Sequence, residues 1–241
     1  MLMALMYHRV GKGKHTNSLE TFRTHFAAIA SRYPTLFPGD PLPKKKLSLC
    51  LTFDDASFDF YHYLFPLLKE FHIKAVLGVP TLYILEKTTL PPEERLSVSH
   101  TLAMQEGVYE TKAPFCTWEE LEELRNSGLV EIASHSHKHA NLTFPFINLE
   151  EEVVHSKELL ENRLGKPIST FIYPFGKVTP PLHKFVTTHY PYSFRIGSAL
   201  NWNWKAKKCP LTRLIGDQLT SPTAPFSLPS LTGAFLKNLL T

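Results

Sequence analysis

The chain has 241 residues, 43% of them apolar and 20% charged, and carries a formal charge of +4. That length can bury a large core, and a single domain over 1–241 is the expectation. The small positive charge, with no aromatic-rich basic stripe around the lysines at 44–46, argues against a nucleic-acid partner, and no run approaches the roughly 18–20 apolar residues of a spanning helix.

The chain opens on MLMALMYHRVG, an apolar strand that delivers Tyr7, His8 and Arg9 at its end. It lacks the basic start, long apolar middle and small-residue cleavage site of a secretion signal. The expected location is therefore cytoplasmic, with a membrane-peripheral place as a variant, or periplasmic or extracellular if a leader has been removed. LSLCLTF, KAVLGVP, VEIAS and STFIYPF read as further strands. Between them FDFYHYLFPLLKEF and CTWEELEELRNSG read as helices, the latter with Thr117 as N-cap, Glu120 completing a capping box and Gly128 as a stop. A third helix is expected over about 149–164, closed by Gly165. Repeated strand and helix predict parallel βαβ units, hence an α/β fold, with residues 86–115 and TSPTAPFSLPS as long loops. Cys50, Cys116 and Cys209 are odd in number and far apart, so buried thiols are expected in place of a disulfide framework or a thiolate metal site.

Chemistry in such folds gathers at the carboxyl ends of strands. Three ends carry reactive groups. LSLCLTFDDAS ends in the adjacent carboxylates Asp54 and Asp55, either of which can instead cap the following helix. VEIASHSHKHANL places His135 and His139 four residues apart, with His137 between them. In helical or loop geometry the outer two can take adjacent positions on one divalent cation, and a surface histidine patch is the alternative. Two imidazoles and one carboxylate form a facial set with open positions, suited to hydrolysis. STFIYPFGKV follows its strand with Tyr173, Pro174, Phe175 and Gly176, a rigid turn whose amides can face a ligand or simply reverse the chain.

Together LTFDDASFDFYHYLFPLLKEFHIKAVLGV, TWEELEELRNSGLVEIASHSHKHANL and FIYPFG resemble, in order and along nearly the whole chain, the motifs of the polysaccharide deacetylase family, also called the NodB homology domain or carbohydrate esterase family 4. The resemblance implies a distorted, incomplete (β/α) barrel of about seven parallel strands. It implies Asp54 as general base and Asp55, His135 and His139 as ligands of one divalent metal, zinc by default, with cobalt, nickel and iron(II) also suited to that donor set. Ser136 would steady the loop through its hydroxyl, and His137 would not be a ligand. A backbone amide of the 174–176 turn, that of Phe175, would hold the oxyanion beside Tyr173.

Most relatives supply the acid as a histidine near the C-terminus, and no histidine follows His189 here. ALMYHRV is similar to the Tyr-His pair of a circularly permuted branch that includes deacetylases of poly-β-1,6-N-acetylglucosamine. His8 is accordingly expected as the general acid, with His183 and His189 as fallbacks, and Met6 borders the acetyl-methyl pocket. The family's tethering arginine is replaced by Ile172, and Arg213 in LTRLIG is expected to orient Asp54 instead. Ala56 stands where glycine is usual. Trp202 or Trp204 is a candidate pocket wall, with a place in the core as the alternative for either. The implied activity is hydrolysis of N-acetyl groups on N-acetylhexosamine-containing glycans or glycoconjugates. The alternatives are an intracellular deacylase of a lipid-linked or small sugar amide, or of another non-peptide amide, and a carbohydrate-binding pseudoenzyme. Oligomeric state is not legible.

Overall fold

Alternating apolar side chains along the strands build a closed barrel in which all pairings are parallel. The computed structural model describes residues 1–205 and 208–239. Its barrel strands are β1 (Leu2–Tyr7), β4 (Ser48–Phe53), β5 (Ala75–Val79), β6 (Val130–Ser134), β7 (Thr170–Ile172), β8 (Tyr192–Ile196) and β9 (Leu211–Ile215), in that order around the wall. The strand number matches the expectation. The wall is complete, because β9 returns to pair with β1, but the β6–β7 seam rests on one register pair, Ser134 with Phe171. A small two-stranded sheet, β2 (Arg9–Val10) and β3 (Thr16–Asn17), stands over the end of β1.

Period-two alternation divides the core. Leu2, Ala4, Cys50, Val76, Ala133, Ile172, Phe194 and Leu211, contributed by all seven strands, form one buried cluster, the lumen of the barrel. The larger cluster holds the intervening residues, Met3, Leu5, Tyr7, Leu49, Leu51 and Phe53 among them, against the helices. Continuing the lumen series upward, residues 6 and 8 follow 2 and 4, residues 52 and 54 follow 50, and residue 213 follows 211. The inner face of the barrel therefore becomes polar at its carboxyl end, where the strand-end motifs lie.

The helices are α1 (Leu19–Ala30), α2 (Phe65–Phe71), α3 (Pro92–Leu96), α4 (His100–Ala103), α5 (Val108–Lys112), α6 (Trp118–Asn126), α7 (Ser156–Leu164), α8 (Pro180–His189) and α9 (Leu228–Leu239). The capping box of α6 forms as expected: Glu120 N–H donates to Thr117 Oγ1 at 3.3 Å, and Thr117 N–H to Glu120 Oε2 at 2.8 Å. Wide π turns at Phe60–Leu64 and Glu150–His155 lead into α2 and α7. Residues 86–115, read as a loop, contain α3, α4 and α5. They are anchored by buried Arg95, which donates to both Glu120 oxygens at 2.6 and 2.9 Å. The proline- and serine-rich segment is likewise ordered, as a turn over Ala224–Phe226 and the start of α9. Cys50 and Cys116 are buried, whereas Cys209 is exposed, contrary to expectation. Among the described residues no helix is long and apolar enough to cross a membrane.

Candidate active site

The adjacent aspartates separate because the chain leaves its extended conformation between them. Asp54 is still ladder-like, its N–H donating to Tyr7 O at 2.9 Å, whereas Asp55 and Ala56 have φ of 73° and 50°. Two successive left-handed residues without glycine are costly, and they turn the second carboxylate towards the next strand ends. Ala56 is fully buried and its carbonyl accepts Cys116 N–H at 2.8 Å, so its methyl packs away from solvent.

The segment after β6 is a loop, not a helix, with Ser136 and His139 at φ of 65° and 53°. It nevertheless brings both outer histidines to Asp55. Asp55 Oδ1 lies 3.6 Å from His135 Nε2 and 3.3 Å from His139 Nε2. His135 Nδ1–H donates to Ile172 O at 2.8 Å, which leaves Nε2 as the lone-pair side facing Asp55. Gly78 makes room for this ring: a Cβ there would lie 3.4 Å from the His135 Cβ and 3.1 Å from Ile172 Cδ1. Burial pushes His135 down to about 4 against the pull of Asp54, keeping the imidazole neutral. Asp55 Oδ1 is buried and has no hydrogen-bond partner among the described residues. An orphaned carboxylate oxygen between two imidazole nitrogens suits a divalent cation.

Asp54 is gripped on its other side. Arg213, fully buried on β9, donates to Asp54 Oδ1 at 2.6 Å and Oδ2 at 2.9 Å, a bidentate pair, and to Thr52 Oγ1 at 2.9 Å. Burial alone would raise the Asp54 carboxyl, but Arg213, with His135 and His8, holds it well below the usual carboxylate range.

His8 stands beside Asp54 at the end of the neighbouring strand, Nε2 to Oδ2 4.0 Å. Its other nitrogen lies 2.6 Å from Asp217 Oδ2, and its N–H donates to Asp217 Oδ1 at 3.1 Å. Burial disfavours the imidazolium, yet the Asp217 hydrogen bond and the fields of Asp54, Asp55 and Asp217 outweigh it and raise His8 to about 9. Asp217 was missed in the sequence. It follows β9 by two residues, after Gly216, whose missing side chain is required because a Cβ would meet the Tyr7 ring at 2.3 Å. The strand-end rule applied to LIGDQ would have found it. His100, in the segment read as a loop, also comes in, its Nε2 3.7 Å from Asp55 Oδ2.

The remaining expected residues divide. Phe175 sits at the mouth, φ 57° and 55% exposed, with its ring 4.7 Å from that of His139. Met6 is buried in the lumen series directly below His8. The Tyr173 side chain does not reach the mouth; it is buried in the outer core, its hydroxyl 3.0 Å from His183 Nδ1, which also removes His183 as an acid. The Ser136 hydroxyl makes no hydrogen bond among the described residues. Glu152, unnoticed in the sequence, steadies that loop by accepting His137 N–H at 3.1 Å and Lys138 N–H at 2.9 Å. His137 turns to Thr81 Oγ1, 2.9 Å away, and is not among the residues whose donor atoms gather at Asp55. Trp202 must be withdrawn: Asn201 pairs with Leu2, at the amino end of β1, so the tryptophan lies at the opposite end of the barrel, against Phe235. Trp204 is held there too, Nε1–H donating to Asp40 O at 2.7 Å.

The family model for polysaccharide deacetylase matches residues 42–190, more than half of the chain. The poly-β-1,6-N-acetyl-D-glucosamine N-deacetylase of Escherichia coli K12 is 33% identical over 98 residues, which are 41% of this chain and 13% of that protein. The fold is shared with a polysaccharide deacetylase from Bacillus cereus (TM-score 0.72, 20% identity, covering 92% of this chain and 66% of that one). It is shared also with IcaB from Ammonifex degensii (TM-score 0.69, 21% identity, 93% and 94%).

Proposed function

This chain belongs to the polysaccharide deacetylase family, and from that premise we propose that it is a metal-dependent hydrolase removing N-acetyl groups from an N-acetylhexosamine-containing glycan or glycoconjugate. The observation that carries the reading is the paired opening. The orphaned Asp55 Oδ1 lies within 3.6 Å of two imidazole nitrogens, and Asp54 and His8 face each other 4.0 Å apart beside it.

Asp55, His135 and His139 would hold the cation, zinc by default for two imidazoles and a carboxylate. Bound there, a divalent cation supplies Lewis-acid polarisation and a lowered water pKa. Asp54, kept ionised by Arg213, accepts the proton of the attacking water as general base. The N–H of Phe175, which has no acceptor among the described residues' backbone bonds while Gly176 N–H is spent on Tyr173 O, donates to the developing oxyanion. Met6 and the Phe175 ring bound the space beside the acyl methyl. His8, charged at neutral pH through Asp217, gives its Nε2 proton to the leaving amine.

The test is acetate release from N-acetylglucosamine oligomers, β-1,6-linked chains first in view of the Escherichia coli relative, before and after chelation and zinc reconstitution. Acetate should appear with metal and fall by about 10²–10⁴-fold in Asp54→Asn, the usual worth of a general base. Equal release by the variant, or glycan retained with nothing released, would refute the reading.

A further inference from the structure

Beyond the Asp55 group, a second set of donors stands on the far side of His8. The ligand atoms that His8, His15 and Asp217 offer all lie within 4.8 Å of one another. Asp217 Oδ2 is 2.6 Å from His8 Nδ1 and 3.9 Å from His15 Nδ1, and the two imidazole centroids are 5.0 Å apart. His15 does not come from the barrel wall. It occupies a left-handed position, φ 59°, in the turn between β2 and β3, and β3, directly after it, is stitched to the turn carrying Asp217. Asn17 Nδ2–H donates to Gly216 O at 2.8 Å, Leu219 N–H to Asn17 Oδ1 at 2.8 Å, and Gln218 N–H to Thr16 O at 3.0 Å. The hydrolytic reading gives His15 no task, yet the fold fixes its backbone against the partner of the acid. Its side chain is part open to solvent, so an ion can arrive without disturbing the barrel.

We propose that His8, His15 and Asp217 form a second, weaker cation site for borderline metals such as Zn²⁺, and that filling it switches the enzyme off. Two imidazoles and a carboxylate are a sufficient zinc set, with water completing a tetrahedron. Ligand bonds of about 2.0–2.2 Å need donor separations of about 3.3 Å, so the short contact must open and the long one close by some tenths of an ångström. The ion takes the Nδ1 lone pair of His8, and the proton shared with Asp217 leaves to solvent. The ring then keeps Nε2–H but is no longer an imidazolium, and a neutral N–H is too weak an acid to protonate a departing amine. Competition with that proton makes this site the weaker of the two. The inhibitory half rests on the proposed hydrolysis; the binding half does not.

The experiment starts from protein holding one equivalent of zinc, equilibrated against buffered free Zn²⁺ from nanomolar to millimolar, with bound metal and acetate release measured on the same samples. His15→Asn is the variant, since asparagine tolerates the left-handed backbone and the residue lies outside the catalytic set. Wild type should take up a second equivalent and lose turnover in step with it. His15→Asn should keep the basal turnover and move both midpoints upward by at least about tenfold, the smaller effect expected even of an outer-shell loss. A second equivalent bound at an unchanged midpoint by the variant, or a wild type that saturates at one, overturns the site. If no substrate yields acetate, the hydrolytic reading fails, while the metal stoichiometry still decides whether the site exists.

Discussion

Arg213 and Asp217 show how two side chains on one strand end set opposite protonation states 4.0 Å apart. Arg213 holds Asp54 anionic from within the barrel. Asp217 holds His8 cationic from the rim. Arg213→Lys keeps the charge but loses the fork, so Asp54 should be held down less firmly. The acid limb of the turnover–pH profile should then move to higher pH and turnover should fall, while Arg213→Met, which strands a buried carboxylate, should cost about 3–5 kcal/mol in urea unfolding. An unmoved acid limb in Arg213→Lys would confine Arg213 to packing. For His8 the sign is the reverse: the acid must carry its proton, so turnover persists below about pH 9 and declines above it. In Asp217→Asn the hydrogen bond loses its charge, burial gains ground, and the alkaline limb should retreat towards the ordinary histidine value of about 6.5. A limb still near 9 would point to Asp54 and Asp55 as the sustaining charges.

At the scale of elements, the loop after β6 matters more than any strand. Its two outer histidines are i and i+4, a spacing that either a helical turn or a loop can serve, and left-handed Ser136 and His139 make it the loop. Such backbone persists where surrounding bonds over-determine it. Glu152, buried in the π turn before α7, supplies two of those bonds, and Ser156 Oγ meets Ser134 Oγ at 2.8 Å. Glu152→Ala should therefore leave the far-UV spectrum intact and weaken zinc affinity, measured by competition with a chromophoric chelator, about 10–100-fold. Affinity equal to wild type would mean the loop holds itself. The sequence could not announce Glu152, because a glutamate in a charged helix start reads as solvated surface until the tertiary contact is known. The α3–α5 segment was misread for a related reason: its helices are each a turn or so long and owe their order to Arg95 and Glu120, not to local periodicity.

For the molecule as a whole, what was legible follows the reach of the signal. Strand alternation and the capping box of α6 are local, and the sequence pattern identifies them. Asp54, Asp55, His135 and His139 lie at ends of strands that are themselves conspicuous, and the structure brings them together as expected. Asp217, His15 and the misassigned Trp202 depend on how β9 closes against β1 and how the small sheet lies over the rim, registers that no local spacing encodes. The same closure creates a consequence at the other end of the lumen. Glu131 lies on the inner series with Ala133, near the amino end of β6, accepting from Ser169 Oγ at 3.2 Å and Thr170 Oγ1 at 3.1 Å. Burial outweighs these bonds and pushes its carboxyl up to about 7. A group raised on folding binds more protons in the folded than in the unfolded state between its two values, so its contribution to stability is complete below about pH 4.5 and is lost as pH rises through about 7. His135, lowered on folding, works the other way between about 4 and 6.5. The wild-type profile alone is therefore ambiguous, and the difference between wild type and Glu131→Gln isolates the carboxyl. Glutamine preserves the shape and accepts the same two hydroxyls without ionising. Unfolding midpoints in urea, taken at pH 5 and pH 8 on metal-free protein, should show the variant gaining on wild type at the higher pH. A difference that is flat across that interval would mean that Glu131 reaches water and ionises at its ordinary value, and that the lower lumen is wet.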